Sequence, residues 1–358
     1  MKKWILPPVG FFILVVLLAL LGPPGASWKS SSTRMRMSPP PHHHNSGFRN
    51  PWPDVRTGGF REFLRWRRNR KAAGRPVYQE VVGTLPVQEP DWQAINAPGD
   101  SLVVTWLGHS TCLLQTGGLT ILTDPVFSER CSPMKFAGPR RLTRIPVEVT
   151  ELPPVDIVVI SHNHYDHLDE SAVRALGNQP KWFVPLGLAS WFFGRGITNV
   201  VELDWWDRAE LTTGGEVICV PAKHFSSRTV WDRNKALWCG WVVESGKHTI
   251  YFAGDTGYEE HFKQIGEHIG SVDLALVPIG SYQPEWFMLP MHVSPGEAVQ
   301  AHLDLAAART IGIHWGTFIL SDEPISDPPR VFREAARQVG LTNQEILVLE
   351  HGETRRFP

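Results

Sequence analysis

The segment Ser161-His162-Asn163-His164-Tyr165-Asp166-His167-Leu168-Asp169 constrains this chain more than any other feature. It directly follows the apolar run Asp156 to Ile160, and it leads into a stretch with helical patterning. A buried strand therefore ends where three imidazoles and a carboxylate begin. Alternation along an extended chain puts His162 and His164 on one side. Asp166 and His167 then fall on the next turn and face a second, neighbouring point. The pattern reads as two adjacent ion sites, one taking the first pair and the other the second. Imidazole and carboxylate ligands without thiolate suit zinc, and also manganese or iron.

Two such sites need more ligands, and three further residues stand at the right places. His224 follows Val217 to Val220, Asp255 follows Thr249 to Phe252, and His314 follows Thr310 to Ile313. Taken singly, His224 and His314 read as hydrogen-bonded core histidines and Asp255 as a turn residue before Thr256-Gly257. Together they share one relative position, just past an apolar run, where loops converge at one edge of a sheet assembly. Beside the first motif they complete a two-metal ligand set.

The rest of the chain supports a large sheet-rich domain. From Ser101 the pattern runs strand, turn, strand (LVVTWL, CLLQT, LTILT). Single strands follow at 156–160, 182–184, 200–203, 217–220, 238–243, 249–252, 274–278, 310–313 and 345–349. Helices fit 170–176, 186–194, 258–269, 294–305 and 328–339. Ser294 before Pro295 and Glu297 is a capping-box start with proline at the first helical position. This order predicts an α+β fold, two mixed β-sheets packed face to face with helices outside, an αββα sandwich. A formal net charge of -1 argues against nucleic acid as a partner. The 15 tryptophans read most simply as core and loop packing, with a membrane interface as the alternative for some. Cys112, Cys131, Cys219 and Cys239 show no zinc-finger spacing and read as buried small hydrophobes, with one disulfide left open.

The N-terminal part divides by composition. Residues 1–26, with Lys2 and Lys3 before an uncharged run from Val9 to Leu21, read as a signal or anchor segment, more in keeping with an uncleaved anchor. That predicts a membrane-associated protein with its catalytic domain on the exported, periplasmic or extracellular side. Residues 27–47 read as a disordered linker, and His42, His43 and His44 within it as a solvated tract rather than a site for a stray metal ion. Residues 48–100 form an arm whose basic stretch (Arg61, Arg65, Arg67, Arg68, Arg70, Lys71) suits either anionic lipid headgroups or a solvated helix face. Residues 101–358 make the catalytic domain.

The motif HNHYDH, with a later His, Asp and His, resembles the HxHxDH pattern of the metallo-β-lactamase superfamily. The strings FRNPWP, VTWLGHST, LTDPVFSERCSP, VELDWWD, YFAGDTGY, PIGSYQPEWFM, HVSPGEAV and IHWGTF go further. Over about residues 48 to 356 they resemble the N-acyl-phosphatidylethanolamine-hydrolysing phospholipase D family. The resemblance implies one ion held by His162, His164 and His224, a second by Asp166, His167 and His314, and Asp255 bridging both. Two divalent ions, zinc before manganese or iron, would hold a hydroxide that attacks a phosphodiester and releases N-acylethanolamine and phosphatidic acid. It further implies a phospholipid substrate met at a membrane surface, and it leaves a homodimer open. His292 matches a phosphate-contacting position and could donate a hydrogen bond or protonate the leaving oxygen, with a capping or packing role as the alternative. Tyr165 matches another such position and could equally only pack. Met291 departs from the pattern, which has glutamine there in the animal enzyme, and so leaves the headgroup contacts open. His109 and Asp124 read as supporting or structural rather than ligands. The competing readings are a lactonase or phosphoester hydrolase of a soluble metabolite, which shares the metal motif, and a membrane-tethered metal-binding protein without turnover.

Overall fold

The structure, a computed structural model, describes residues 39–52, 59–72 and 81–358. Two short strands, β1 (His43–His44) and β2 (Gly47–Phe48), and two helices, α1 (Phe60–Ala72) and α2 (Trp92–Asn96), precede the main body. A first sheet begins as an antiparallel meander of β3 (Leu102–Gly108), β4 (Thr111–Thr116) and β5 (Leu119–Thr123). It continues in parallel through β6 (Ile157–Val159), β7 (Lys181–Pro185) and β8 (Val200–Leu203). The last strand of the chain, β16 (Thr354–Phe357), closes its other edge beside β3. Helices α3 (Glu170–Leu176) and α4 (Ala189–Phe193) connect the parallel strands.

The second sheet repeats that plan. β9 (Arg208–Glu210), β10 (Glu216–Val220), β11 (Gly240–Ser245) and β12 (His248–Phe252) are antiparallel. β13 (Leu274–Pro278), β14 (Thr310–Ile313) and β15 (Ile346–Leu347) then run parallel to β12. The helices between them are α5 (His261–Ile269), the one-turn α6 (Glu285–Met288), α7 (Pro295–Asp304) and α8 (Asp327–Gln338). Two seven-stranded mixed sheets with helices outside are the expected αββα sandwich.

Period-two alternation assigns the faces of the first sheet. Leu114, Ile121, Val159 and Phe183 face the second sheet and share its core with Val217, Val242, Ile250 and Leu276. Their neighbours Leu113, Leu122, Val158 and Trp182 face outward onto Val173 of α3 and Phe192 of α4. Trp241 joins the two sheets by a hydrogen bond as well as by area, and two other indoles close bonds within a sheet. Trp241 Nε1 of β11 donates to the Ile160 carbonyl just past β6, at 2.9 Å. Trp106 Nε1 donates to His109 O and Trp238 Nε1 to Ala222 O, both at 2.9 Å. Each indole satisfies a carbonyl left over where a strand ends.

The periodic strands and the five helices stand where the pattern put them, with ends shifted by up to three residues. β9 (Arg-Ala-Glu) and β16 (Thr-Arg-Arg-Phe) were not foreseen, because edge strands carry too little apolar patterning to be seen. Within the stretch expected as a disordered linker, residues 39–47 are described, and His43–His44 pairs with Gly47–Phe48. The expected membrane placement is corrected: no helix among the described residues is long and apolar enough to cross a membrane. The apolar run from Val9 to Leu21 on which it rested lies outside them. All four cysteines are buried and free.

The Trp241 bond gives a direct test of how the sheets are joined. Trp241→Phe keeps an aromatic ring but strands the Ile160 carbonyl in the core. Stability should fall by about 1–3 kcal/mol, read as a lower urea midpoint with an unchanged slope.

Candidate metal centre

Every candidate metal ligand, with His109 and Asp124 beside them, sits just past the carboxyl end of a strand. His109 follows β3, Asp124 follows β5, His162 to His167 follow β6, His224 follows β10, Asp255 follows β12 and His314 follows β14. The strands in question run the same way within each sheet, so both sheets deliver these residues to one rim. Three of these residues hold positive φ without being glycine: His109 at 53°, Asp124 at 30° and His314 at 59°. That conformation is costly for such residues and persists only where surrounding structure enforces it. Gly254 at φ 60° allows the close approach of the two rims, since a Cβ there would lie 2.4 Å from Ser161 Cβ.

The residues gather into two groups. His162, His164, His224 and Asp255 offer ligand atoms within 4.8 Å of one another, and so do His109, Asp166, His167 and His314. Asp255 touches both. Its Oδ2 is 3.8 Å from His224 Nε2 and 3.2 Å from His167 Nε2, while its Oδ1 is 3.2 Å from His314 Nε2. In the first group His162 Nε2 lies 2.8 Å from His164 Nδ1, which lies 3.3 Å from His224 Nε2.

The electrostatics show what kind of group the centre suits. Burial alone would raise the Asp255 carboxyl, but His167, His314 and His292 hold it well below the usual carboxylate range. Burial acts to lower His314 as well, and Asp255 with Asp166 reverses that, pushing it up to about 9. Burial holds His162 and His224 well below the ordinary imidazole value, leaving them neutral with lone pairs directed inward. His167 Nε2, His314 Nε2 and Asp255 Oδ1 are buried without a hydrogen-bond partner. Buried polar atoms are normally paired, and unpaired ones that converge suit a cation. The residues therefore fit divalent metal ions. Histidines elsewhere are satisfied differently: His248, His302 and His351 each meet a threonine hydroxyl.

A second ring of contacts fixes the imidazoles. His167 Nδ1 meets Asp124 Oδ2 at 2.6 Å, and Asp124 also accepts from the Ser161 amide at 2.7 Å. Ser161 Oγ meets His162 Nδ1 at 2.9 Å, and His224 Nδ1 donates to the Met291 carbonyl at 2.9 Å. His109 Nε2 lies 3.0 Å from Asp166 Oδ2. Asp124 thus supports the site, as expected, while His109 comes closer to the ligand positions than its place on the first hairpin suggested.

His292 reaches the centre's margin, and Tyr165 packs beside Val126, Cys131 and Phe318. His292 Nδ1 is 3.9 Å from Asp255 Oδ2, and burial lowers the imidazole to about 4. It precedes α7, whose capping box between Ser294 and Glu297 forms as the sequence predicted. Tyr165 is half-buried, its ring under the Arg228 guanidinium at 4.0 Å. Sequence reasoning missed Phe225, edge-on to His164 at 4.5 Å, and Arg228, because the loop that carries them has no periodicity.

A model of the β-lactamase superfamily domain matches residues 120–315. N-acyl-phosphatidylethanolamine-hydrolyzing phospholipase D 1 of Caenorhabditis elegans is 45% identical over 247 residues, covering 66% of this chain and 69% of that protein. The chain belongs to the N-acyl-phosphatidylethanolamine-hydrolysing phospholipase D family of the β-lactamase superfamily. The mitochondrial family member of Saccharomyces cerevisiae is 39% identical over 261 residues, 71% of this chain and 55% of that one. Among solved structures, the metallo hydrolase Igni18 of Ignicoccus hospitalis aligns with a TM-score of 0.55 at 22% identity over 72% of this chain and 99% of that one, which shows the shared fold.

For this family member, Asp124 offers the sharpest structural test. Asp124→Ala leaves His167 Nδ1 and the Ser161 amide buried and unpaired. Metal affinity should drop about 10–100-fold in a chelator competition, with circular dichroism showing the fold retained.

Proposed function

We propose that this chain is a zinc-dependent phosphodiesterase that hydrolyses N-acyl-phosphatidylethanolamine to an N-acylethanolamine and phosphatidic acid. The observation that carries the reading is the joining of two ligand groups through Asp255, in a chain with family members at 45% and 39% identity. His162, His164 and His224 would hold one ion, Asp166, His167 and His314 the other, and Asp255 both. When bound, such a pair supplies Lewis acidity to the phosphate and lowers the pKa of water at the site.

The chain's own residues do the rest. Asp124, Ser161 and the Met291 carbonyl keep the imidazoles aimed, so little reorganisation is needed during the reaction. His292, at the margin beside Asp255, would donate an N–H to a phosphate oxygen or to the departing alkoxide. Tyr165, its ring under the Arg228 guanidinium, would supply a second hydrogen bond. Water adds to phosphorus, the bond from phosphorus to the ethanolamine oxygen breaks, and one proton passes to that oxygen.

A lipid substrate is supported by the loop that carries Phe225 and Arg228. Val230 and Trp231 stand 63% and 71% exposed beyond those residues, an apolar tip beside arginine. On α1, Trp66 packs on Phe287 and Met288 of α6, three residues before Met291, while Leu64 and Trp286 remain exposed and Arg65 lies over Trp286. These patches would meet the lipid surface as substrate enters.

The deciding experiment incubates purified protein with N-acyl-phosphatidylethanolamine in detergent and identifies products by mass spectrometry. N-acylethanolamine plus phosphatidic acid is expected; free fatty acid, or no turnover beside rapid hydrolysis of a lactone, overturns the reading.

Two variants separate roles. Asp255→Asn should lower both metal content and rate, the rate by several orders of magnitude. His292→Ala should keep about two ions per chain and lose turnover alone. Metal analysis and initial rates on both check this, and metal loss in His292→Ala would place that residue among the ligands.

A separate prediction concerns the loop tip. Val230→Ser with Trp231→Ser should reduce kcat/KM on lipid vesicles about tenfold, since burying one large apolar side chain is worth about 1.5–3 kcal/mol. Rates on detergent-dispersed substrate should hardly change.

A further inference from the structure

A second cluster of metal-ligand chemistry lies where the segment at 39–52 meets the body. His42 Nε2 lies 2.7 Å from Asp204 Oδ1, and His43 Nε2 lies 2.8 Å from Asp204 Oδ2. Consecutive residues of an extended chain point to opposite faces. Here a turn at 41–42 precedes β1, and both imidazoles arrive at one carboxylate. His42 is buried and stacks on Trp205 at 4.2 Å, and its ring meets that of His43 edge-on at 4.7 Å. Asp204 is held from its own side, its Oδ1 accepting from the Trp205 amide at 2.8 Å and its amide donating to Asp207 at 3.0 Å.

We propose that His42, His43 and Asp204 form a structural metal site, apart from the catalytic centre, that takes one divalent transition-metal ion such as zinc. The donors match the first catalytic group in kind, imidazole nitrogens with one carboxylate, and likewise lie within 4.8 Å of one another. The partly exposed His43 and Asp204 leave room for water to complete a four-coordinate shell. Bonds of about 2.0–2.1 Å set tetrahedral donors about 3.3 Å apart. The imidazoles must therefore withdraw by about half an ångström, as His162 and His164 must at 2.8 Å.

An ion here staples the N-terminal segment to the sandwich. That segment bonds onward through Phe48 N to Asn234 O at 2.8 Å, and through Asn50 Nδ2 to the carbonyl of His224 at 2.9 Å. The staple thus ends on the main chain of a catalytic ligand. It does not depend on the reaction proposed above.

The test uses the untagged full chain, stripped of metal and dialysed against buffered zinc chloride, with bound zinc counted per chain. Wild type is expected to hold one zinc more than Asp204→Asn and one more than His43→Ala. The difference between proteins is read, so it stands whether or not the catalytic centre works as proposed. Hydrogen exchange over residues 42–50 of the wild-type chain supplies a second readout that needs no variant. Zinc should slow it at least about tenfold. Equal zinc counts in all three proteins with unchanged exchange would leave a hydrogen-bonded clasp and overturn the site. So would loss in His43→Ala without loss in Asp204→Asn, which would mark adventitious binding by the histidine tract.

Discussion

Asp166 and Asp255 are carboxylates taken out of water, and the arrangement around them is a means of supplying the positive charge they need. His167 and His314 are held well above the ordinary imidazole value by the carboxylates beside them. His162 and His224 stay neutral. Such a set is costly to bury unless cations complete it.

Meeting that need falls to the sheets. Each sheet runs antiparallel on one side and parallel on the other, and the strands that feed the site all end at the same rim. Loops leaving parallel strands can carry polar groups without breaking the ladders beneath them. The strain at His109, Asp124 and His314 is borne by this framework. His314 N donates to His109 O at 2.8 Å, tying the rim of one sheet to that of the other.

Much of this was legible in the sequence, for definite reasons. HNHYDH after a buried run locates both groups, and His224, Asp255 and His314 are recognisable because each ends an apolar stretch. The alternation Leu113-Leu114 and Leu122-Ile121 reports two covered faces. What could not be read depends on contacts between distant residues. Nothing local tells that the Met291 carbonyl receives His224, or that Arg228 lies over Tyr165. His42 and His43 look like part of a low-complexity tract because their partner, Asp204, is 162 and 161 positions away. The edge strands β9 and β16 are polar because one side of them faces solvent.

The bond from His224 to residue 291 has a consequence of its own. It uses the main-chain carbonyl, which every amino acid supplies, so it places no demand on what kind of side chain stands there. That side chain is a buried methionine next to His292, at the position where the family resemblance implies glutamine. A different side chain at 291 would therefore leave the hydrogen bond that holds the His224 imidazole in place.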